Sequence, residues 1–96
     1  MLTNQELLEK LGKEFPALSF KDANSSNIWL YAYSKGMLYI VFKTSQKSPK
    51  ILVYEYLRVS EPIFKLFEKS KSKGSFFSQN IRNKDYFPYN IYELPK

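Results

Sequence analysis

The sequence predicts an α+β domain: an N-terminal helix, a three-stranded antiparallel β-meander, two short C-terminal helices and an extended tail. Three observations predict it. Residues 3–15 carry leucines at helical spacing behind a capping signature. Residues 27–59 hold three runs rich in aromatic and β-branched residues, separated by turn signals. Residues 60–81 return to helical patterning, interrupted at Gly74. At 96 residues the chain is sized for a single domain, 1–96, with a modest core.

Thr3 is placed to cap the first helix, with Glu6 three residues on to complete a capping box and Leu2 and Leu7 at staple spacing. Leu7, Leu8, Leu11 and Phe15 form one apolar stripe, and Pro16 ends the helix because the residue before proline avoids helical angles. Residues 17–25 read as a connector anchored by Leu18 and Phe20. The strand runs are 27–34, 37–44 and 50–59. Ser34-Lys35-Gly36 is a tight hairpin turn in which Gly36 takes positive φ, and residues 45–49 make a longer polar turn. Alternation places Ile28, Leu30 and Ala32 on one face of the first strand and Trp29, Tyr31 and Tyr33 on the other. On the second, Leu38, Ile40 and Phe42 oppose Met37, Tyr39 and Val41; on the third, Leu52, Tyr54 and Tyr56 oppose Ile51, Val53 and Leu57. Neither face is polar, so the sheet is expected to carry helices on both sides or to leave one face open for a partner.

Ser60 is placed to cap the second helix, with Glu61 in a first turn that also tolerates Pro62. Ile63, Leu66 and Phe67 are expected to turn inward, and Lys65, Glu68 and Lys69 outward. Gly74 breaks this pattern, and Ser75 is expected to cap a third, short helix carrying Phe76, Phe77 and Ile81. The tail 86–96, with Pro88 and Pro95 among its aromatics, reads as extended.

Composition narrows the function. Aromatic residues make up 18% of the chain, with eight Tyr, eight Phe and Trp29. Cys and His are both absent, which removes thiol nucleophiles, disulfides, the usual zinc sites and imidazole acid–base chemistry. The nine acids form no paired motif, the hydroxyls lack an activating base, and there is no phosphate-binding glycine motif of the GxGxxG or P-loop kind. No catalytic residue, cofactor or metal is therefore expected. The segment MLTNQELLEK lacks the basic and apolar regions of a signal peptide, and no run reaches membrane length, so a cytoplasmic protein is expected. The net charge of +6 is uneven: residues 1–25 sum to −1, whereas the stretch from Lys43 to Asp85 sums to +6. A basic second half suits nucleic acid or an acidic protein surface.

SSNI at Ser25–Ile28, then Tyr33, the pattern of Leu38, Ile40 and Phe42, and Tyr54, Tyr56 and Val59 form a recognisable series. Through it residues 25–89 resemble the KTSC domain, a small module found at the C-terminus of some lysyl-tRNA synthetases and as free-standing proteins of bacteria and phages. The resemblance is strongest in SKGSFFSQNIR, Ser72–Arg82, where the family has S-x-G, an aromatic pair and a closing Ile-Arg. The loop from Thr44 to Lys50 is longer than is usual for the family, and residues 1–24 and 90–96 lie outside the resemblance as an N-terminal helix with connector and a tail. The tie to a tRNA synthetase implies nucleic-acid binding by association.

Two constellations are candidates for such binding. Lys65, Lys69, Lys71, Lys73, Arg82 and Lys84 form the basic set, with Gly74 able to bring the N–H groups of Ser75, Phe76 and Phe77 against a phosphate. The competing reading makes Gly74 a turn residue, Ser75 a cap and the two phenylalanines core. Trp29, Tyr31, Tyr33 and Tyr39 form an aromatic set that would stack bases if exposed. The competing reading covers them with the N-terminal helix, whose apolar stripe needs a surface. The expected function is a small, non-enzymatic, basic module that binds DNA or RNA. The alternative is a protein-binding inhibitor or adaptor, such as a phage protein that blocks a host defence enzyme through the basic face. A homodimer through the aromatic face is a third expectation.

Overall fold

Helix α1 (Asn4–Glu14) starts on a complete capping box: Thr3 Oγ1 accepts from the Glu6 N–H at 3.1 Å, and Glu6 Oε1 accepts from the Thr3 N–H at 2.9 Å. The computed structural model describes residues 2–95; Met1 and Lys96, the ends of the predicted domain 1–96, lie outside the described residues.

The sheet has five strands, not three. Strands β1 (Lys21–Asp22), β2 (Ile28–Ser34), β3 (Met37–Phe42), β4 (Lys50–Tyr56) and β5 (Tyr89–Pro95) lie in chain order, and every neighbouring pair is antiparallel. The predicted connector supplies β1, and the predicted tail supplies β5. Neither has a two-residue turn to announce it. β5 returns to the sheet only after helices α2 (Glu61–Lys69) and α3 (Lys73–Asn80), so these two helices are an insertion between strands and not a C-terminal pair. Pro88 and Pro95 bracket β5, where an edge strand admits them.

The predicted faces of β2 require a second correction. A register shift between Ile28 and Leu30 inserts a bulge at Trp29. Ile28 therefore lies with Tyr31 and Tyr33 beneath α2 and α3, whereas Trp29 lies with Leu30 and Ala32 beneath α1. Two cores result. One is built from Leu7 and Leu11 of α1 against Leu30, Val41, Ile51, Val53 and Leu94. The other is built from Phe67, Phe77 and Ile81 against Ile28, Leu38, Ile40 and Tyr56. Helices thus cover both faces. Leu66, expected inward, is 60% exposed; Phe64 takes the inward place, its ring stacked on Tyr33 at 4.3 Å and 6°.

The β2–β3 hairpin closes with Lys35 and Gly36 both at positive φ, 51° and 81°, the geometry of a type I′ turn. Lysine pays steric strain there that asparagine largely escapes. Lys35→Asn is expected to raise stability by roughly 0.5–1 kcal/mol, read as a higher urea midpoint with an unchanged denaturant slope.

Candidate functional site

Ser25 Oγ accepts from the N–H groups of Asn27 at 3.2 Å and Ile28 at 3.3 Å, which fixes the entry into β2. Gly74 packs against this turn: a Cβ at Gly74 would stand 3.3 Å from Ser25 Oγ and 3.5 Å from Asn27 Nδ2. Glycine at this position lets α3 approach the sheet. The Ser75 and Phe76 N–H groups beside it are engaged within the helix's own first turn. Ser72, not Ser75, caps α3, its side chain accepting from the Ser75 N–H at 3.3 Å, and the Phe76 N–H donates to the Ser72 carbonyl at 3.0 Å.

Where α3 leaves the sheet uncovered, a cleft of about 440 Å³ opens between α3, the start of β2, the β3–β4 turn and the β5 edge. Its floor is aromatic. Phe77 meets Tyr56 edge-on at 5.0 Å and Phe42 at 5.6 Å, Phe42 meets Tyr54 edge-on at 5.1 Å, and Tyr89 lies 5.3 Å from Tyr56. Tyr89 is 50% exposed, so one ring stands open at the mouth. The rim is polar, with Ser26, Asn27, Thr44, Ser78 and Asn83. Lys43 and Arg82 are its charged residues, and among the described residues no carboxylate lines it. The Arg82 guanidinium lies 5.7 Å from the centre of the Phe42 ring, within cation–π range. The Arg82 backbone N–H donates to the Phe77 carbonyl at 2.9 Å, and Asn83 turns the chain at φ 60°. Burial pushes the Tyr56 phenol up to about 12, against the pull of the Arg82 cation, so this ring stays neutral.

The cleft divides the predicted basic set. Arg82 lines it; the other five lysines do not. Lys65 pairs with Glu61 at 3.2 Å one turn earlier on α2. Lys69 and Lys71 are exposed at the end of α2 and just beyond, and Lys73, the first residue of α3, and Lys84, beyond its end, are half-buried. Among the described residues none of these last four is in an ion pair. Lys43 joins Arg82 instead, a residue the sequence reading passed over.

The predicted stacking set is neither open nor together. Trp29 is 3% exposed beneath α1, its indole N–H donating to Asn4 Oδ1, and Tyr39 is buried on the same face. Tyr31 is buried on the opposite face, its hydroxyl donating to Glu68 at 3.1 Å, and burial together with Glu68 holds its phenol up at about 12. Tyr33 lies under Phe64 and donates to the Val59 carbonyl at 2.6 Å. The rings that line the cleft are instead Phe42, Tyr54, Tyr56, Phe77 and Tyr89, of which Tyr89 is exposed, Phe42 and Tyr54 are half-buried and Tyr56 and Phe77 are buried. A signal for it was present: Asn27, Phe42, Tyr54, Tyr56, Gly74, Phe77 and Arg82 all lie in the stretches that carry the family resemblance, and all line one cleft.

Among the described residues no helix is long and apolar enough to cross a membrane, and no group of three or more Asp or Glu side chains could hold a metal ion. A family model, the KTSC domain, matches residues 24–86. No curated protein matches the chain.

Proposed function

Because the chain belongs to the KTSC domain family, a family of small domains, we propose that it is a non-enzymatic module that holds single-stranded nucleic acid in the cleft between α3 and the sheet. The observation that supports this reading is the pairing of an aromatic floor with Lys43 and Arg82 and no facing carboxylate. Every base has a π-face for Tyr89 and Tyr54, with stacking worth about 1–3 kcal/mol per base. The two cations suit phosphate, and Arg82, free of any ion pair among the described residues, can present a bidentate fork. Duplex DNA keeps its bases stacked inside and fits such a floor poorly.

Anisotropy of labelled single-stranded DNA, RNA and duplex DNA would test the reading between about 50 and 200 mM salt. Single strands are expected to bind, with affinity falling as salt rises. Arg82→Ala is expected to weaken binding by about tenfold and to reduce the salt slope by roughly one phosphate's worth, about 0.7 for a single strand. Trp29 would not report binding, since it lies under α1. No anisotropy change for any nucleic acid at the lower salt would reject the proposal.

A second reading, an inhibitor or adaptor for an acidic protein, has its own observation. Leu66 and Tyr86 are 60% and 61% exposed, large side chains that lie outside the cleft. A stoichiometric protein retained after nuclease treatment, combined with no binding of any nucleic acid, would favour it.

A further inference from the structure

β5 forms one edge of the sheet, and five of its first six residues are exposed. Natural edges are usually blunted by lysine, a bulge or short length. β5 has none of these: it runs seven residues in unbroken register, with Glu93 as its one charge, and it exposes Tyr89, Ile91 and Tyr92. Which of its backbone groups face outward follows from one hydrogen bond. The Leu57 N–H donates to the Pro88 carbonyl at 2.8 Å, and Leu57 and Pro88 are directly opposite in the register that pairs Tyr56 with Tyr89. Opposed residues in an antiparallel ladder alternate between bonded and non-bonded. Asn90, Tyr92 and Leu94 therefore bond to β4, and Tyr89, Ile91 and Glu93 aim their N–H and C=O groups at the free edge. The Leu52 N–H agrees, pointing away from β5 to Ser45 Oγ at 3.3 Å. Pro95 falls on the outward set and has no N–H, so the usable edge stops at Glu93.

This outward set is complementary to itself. With Ile91 on a two-fold axis, Ile91 faces its own copy and Tyr89 faces Glu93 of the second chain, in both directions. All three outward residues then lie in bonded pairs, and each Tyr89 hydroxyl has a carboxylate as its cross-strand neighbour. Moving the axis by one residue either leaves an end unpaired or sets Glu93 against Ile91. We propose that β5 pairs with β5 of a second copy of this chain, giving a two-fold dimer with one continuous sheet. Tyr89 belongs both to the edge and to the cleft, so the dimer sets two clefts side by side on one sheet face. An isologous interface of this kind closes on itself and leaves no open edge at the junction.

Light scattering over increasing concentration, with amide hydrogen exchange on the same samples, tests the proposal. The mass is expected to double, with the Tyr89, Ile91 and Glu93 amides becoming protected in step with dimer formation; Asn90, Tyr92 and Leu94 are protected at all concentrations. Ile91→Pro removes an outward donor that β4 does not use and is expected to give a folded monomer; Ile91→Lys, which keeps the backbone donor, is expected to weaken the dimer at least tenfold. A chain that stays monomeric, or a dimer in which the outward amides exchange freely, overturns the proposal. A monomer whose outward amides are protected only by an added extended peptide also overturns it, and assigns the edge to that partner instead.

Discussion

Replacing Phe77 with alanine is expected to lower stability by about 3–5 kcal/mol. The side chain is 1% exposed and joins three elements. It leaves α3 to meet Tyr56 at 81° and Phe42 at 60°, so truncation opens a cavity between rigid rings that cannot collapse onto it. α3 has eight residues, too few to hold helical structure unaided. Its docking rests on Phe77, on Ile81 and on the close approach at Gly74. Against a total stability of about 5–15 kcal/mol for a domain of this kind, the loss is large, and the cleft loses the ring that both Tyr56 and Phe42 meet. A urea titration gives the stability change, and Phe77→Leu, which keeps most of the volume, should retain more than half of it. A loss below about 1 kcal/mol would mean that α3 is held by other contacts.

Glu55→Leu is expected to destabilise the fold by on the order of 3 kcal/mol. Glu55 is 8% exposed and is in no ion pair among the described residues. Three neutral donors satisfy it instead: the Tyr39 hydroxyl at 2.7 Å, the Asn90 amide at 3.1 Å and the Tyr92 hydroxyl at 3.1 Å. Leucine would leave the buried Tyr39 hydroxyl without its acceptor, whereas glutamine keeps one acceptor oxygen and should cost less. The same site predicts a pH dependence. Burial alone would raise the Glu55 carboxyl, but the bonds from Asn90, Tyr39 and Tyr92 outweigh it and hold the group below its ordinary 4.5. Near that value the unfolded chain binds the extra proton, so stability rises with pH through this range. The contribution is complete above the unfolded value and disappears as pH falls through the folded one. Thermal melts from neutral to acidic pH should show this loss in the wild type and a flatter profile in Glu55→Gln.

These two residues mark how far the sequence could be read. The first helix was legible because its signals are local: cap, staple, stripe and proline lie within a few turns of one another. The β2–β3 hairpin was legible for the same reason. β5 was not, because its pairing partner lies far back in the chain and its own residues, YNIYELP, carry no alternation of polarity. The face assignment of β2 failed at its first two residues, Ile28 and Trp29, since the bulge shifts the alternation before Leu30 relative to that after it. At the cleft, the charge count pointed to the half of the chain that supplies both lining cations, and of the predicted set it named Arg82 but not Lys43. Lysines are spread over solvent-facing helix positions, and only the tertiary fold brings Lys43 to Arg82. The family motifs carried the better information, because residues distant in sequence were there for a common packing reason at one cleft.

The late return of β5 also matters while the chain is being made. β4 is complete at Tyr56, yet its partner strand does not end until Pro95. At a synthesis rate of roughly 5–20 residues per second, the outer edge of β4 stands unpaired for seconds, presenting Ile51 and Val53 to whatever is near. Glu55 sits on that same edge. Before Asn90 and Tyr92 arrive to bind it, it is a negative charge with Tyr39 as its one side-chain donor, and such a charge on a bare strand discourages pairing with a neighbouring nascent chain. One carboxylate thus guards the edge first and fastens the last strand to it afterwards.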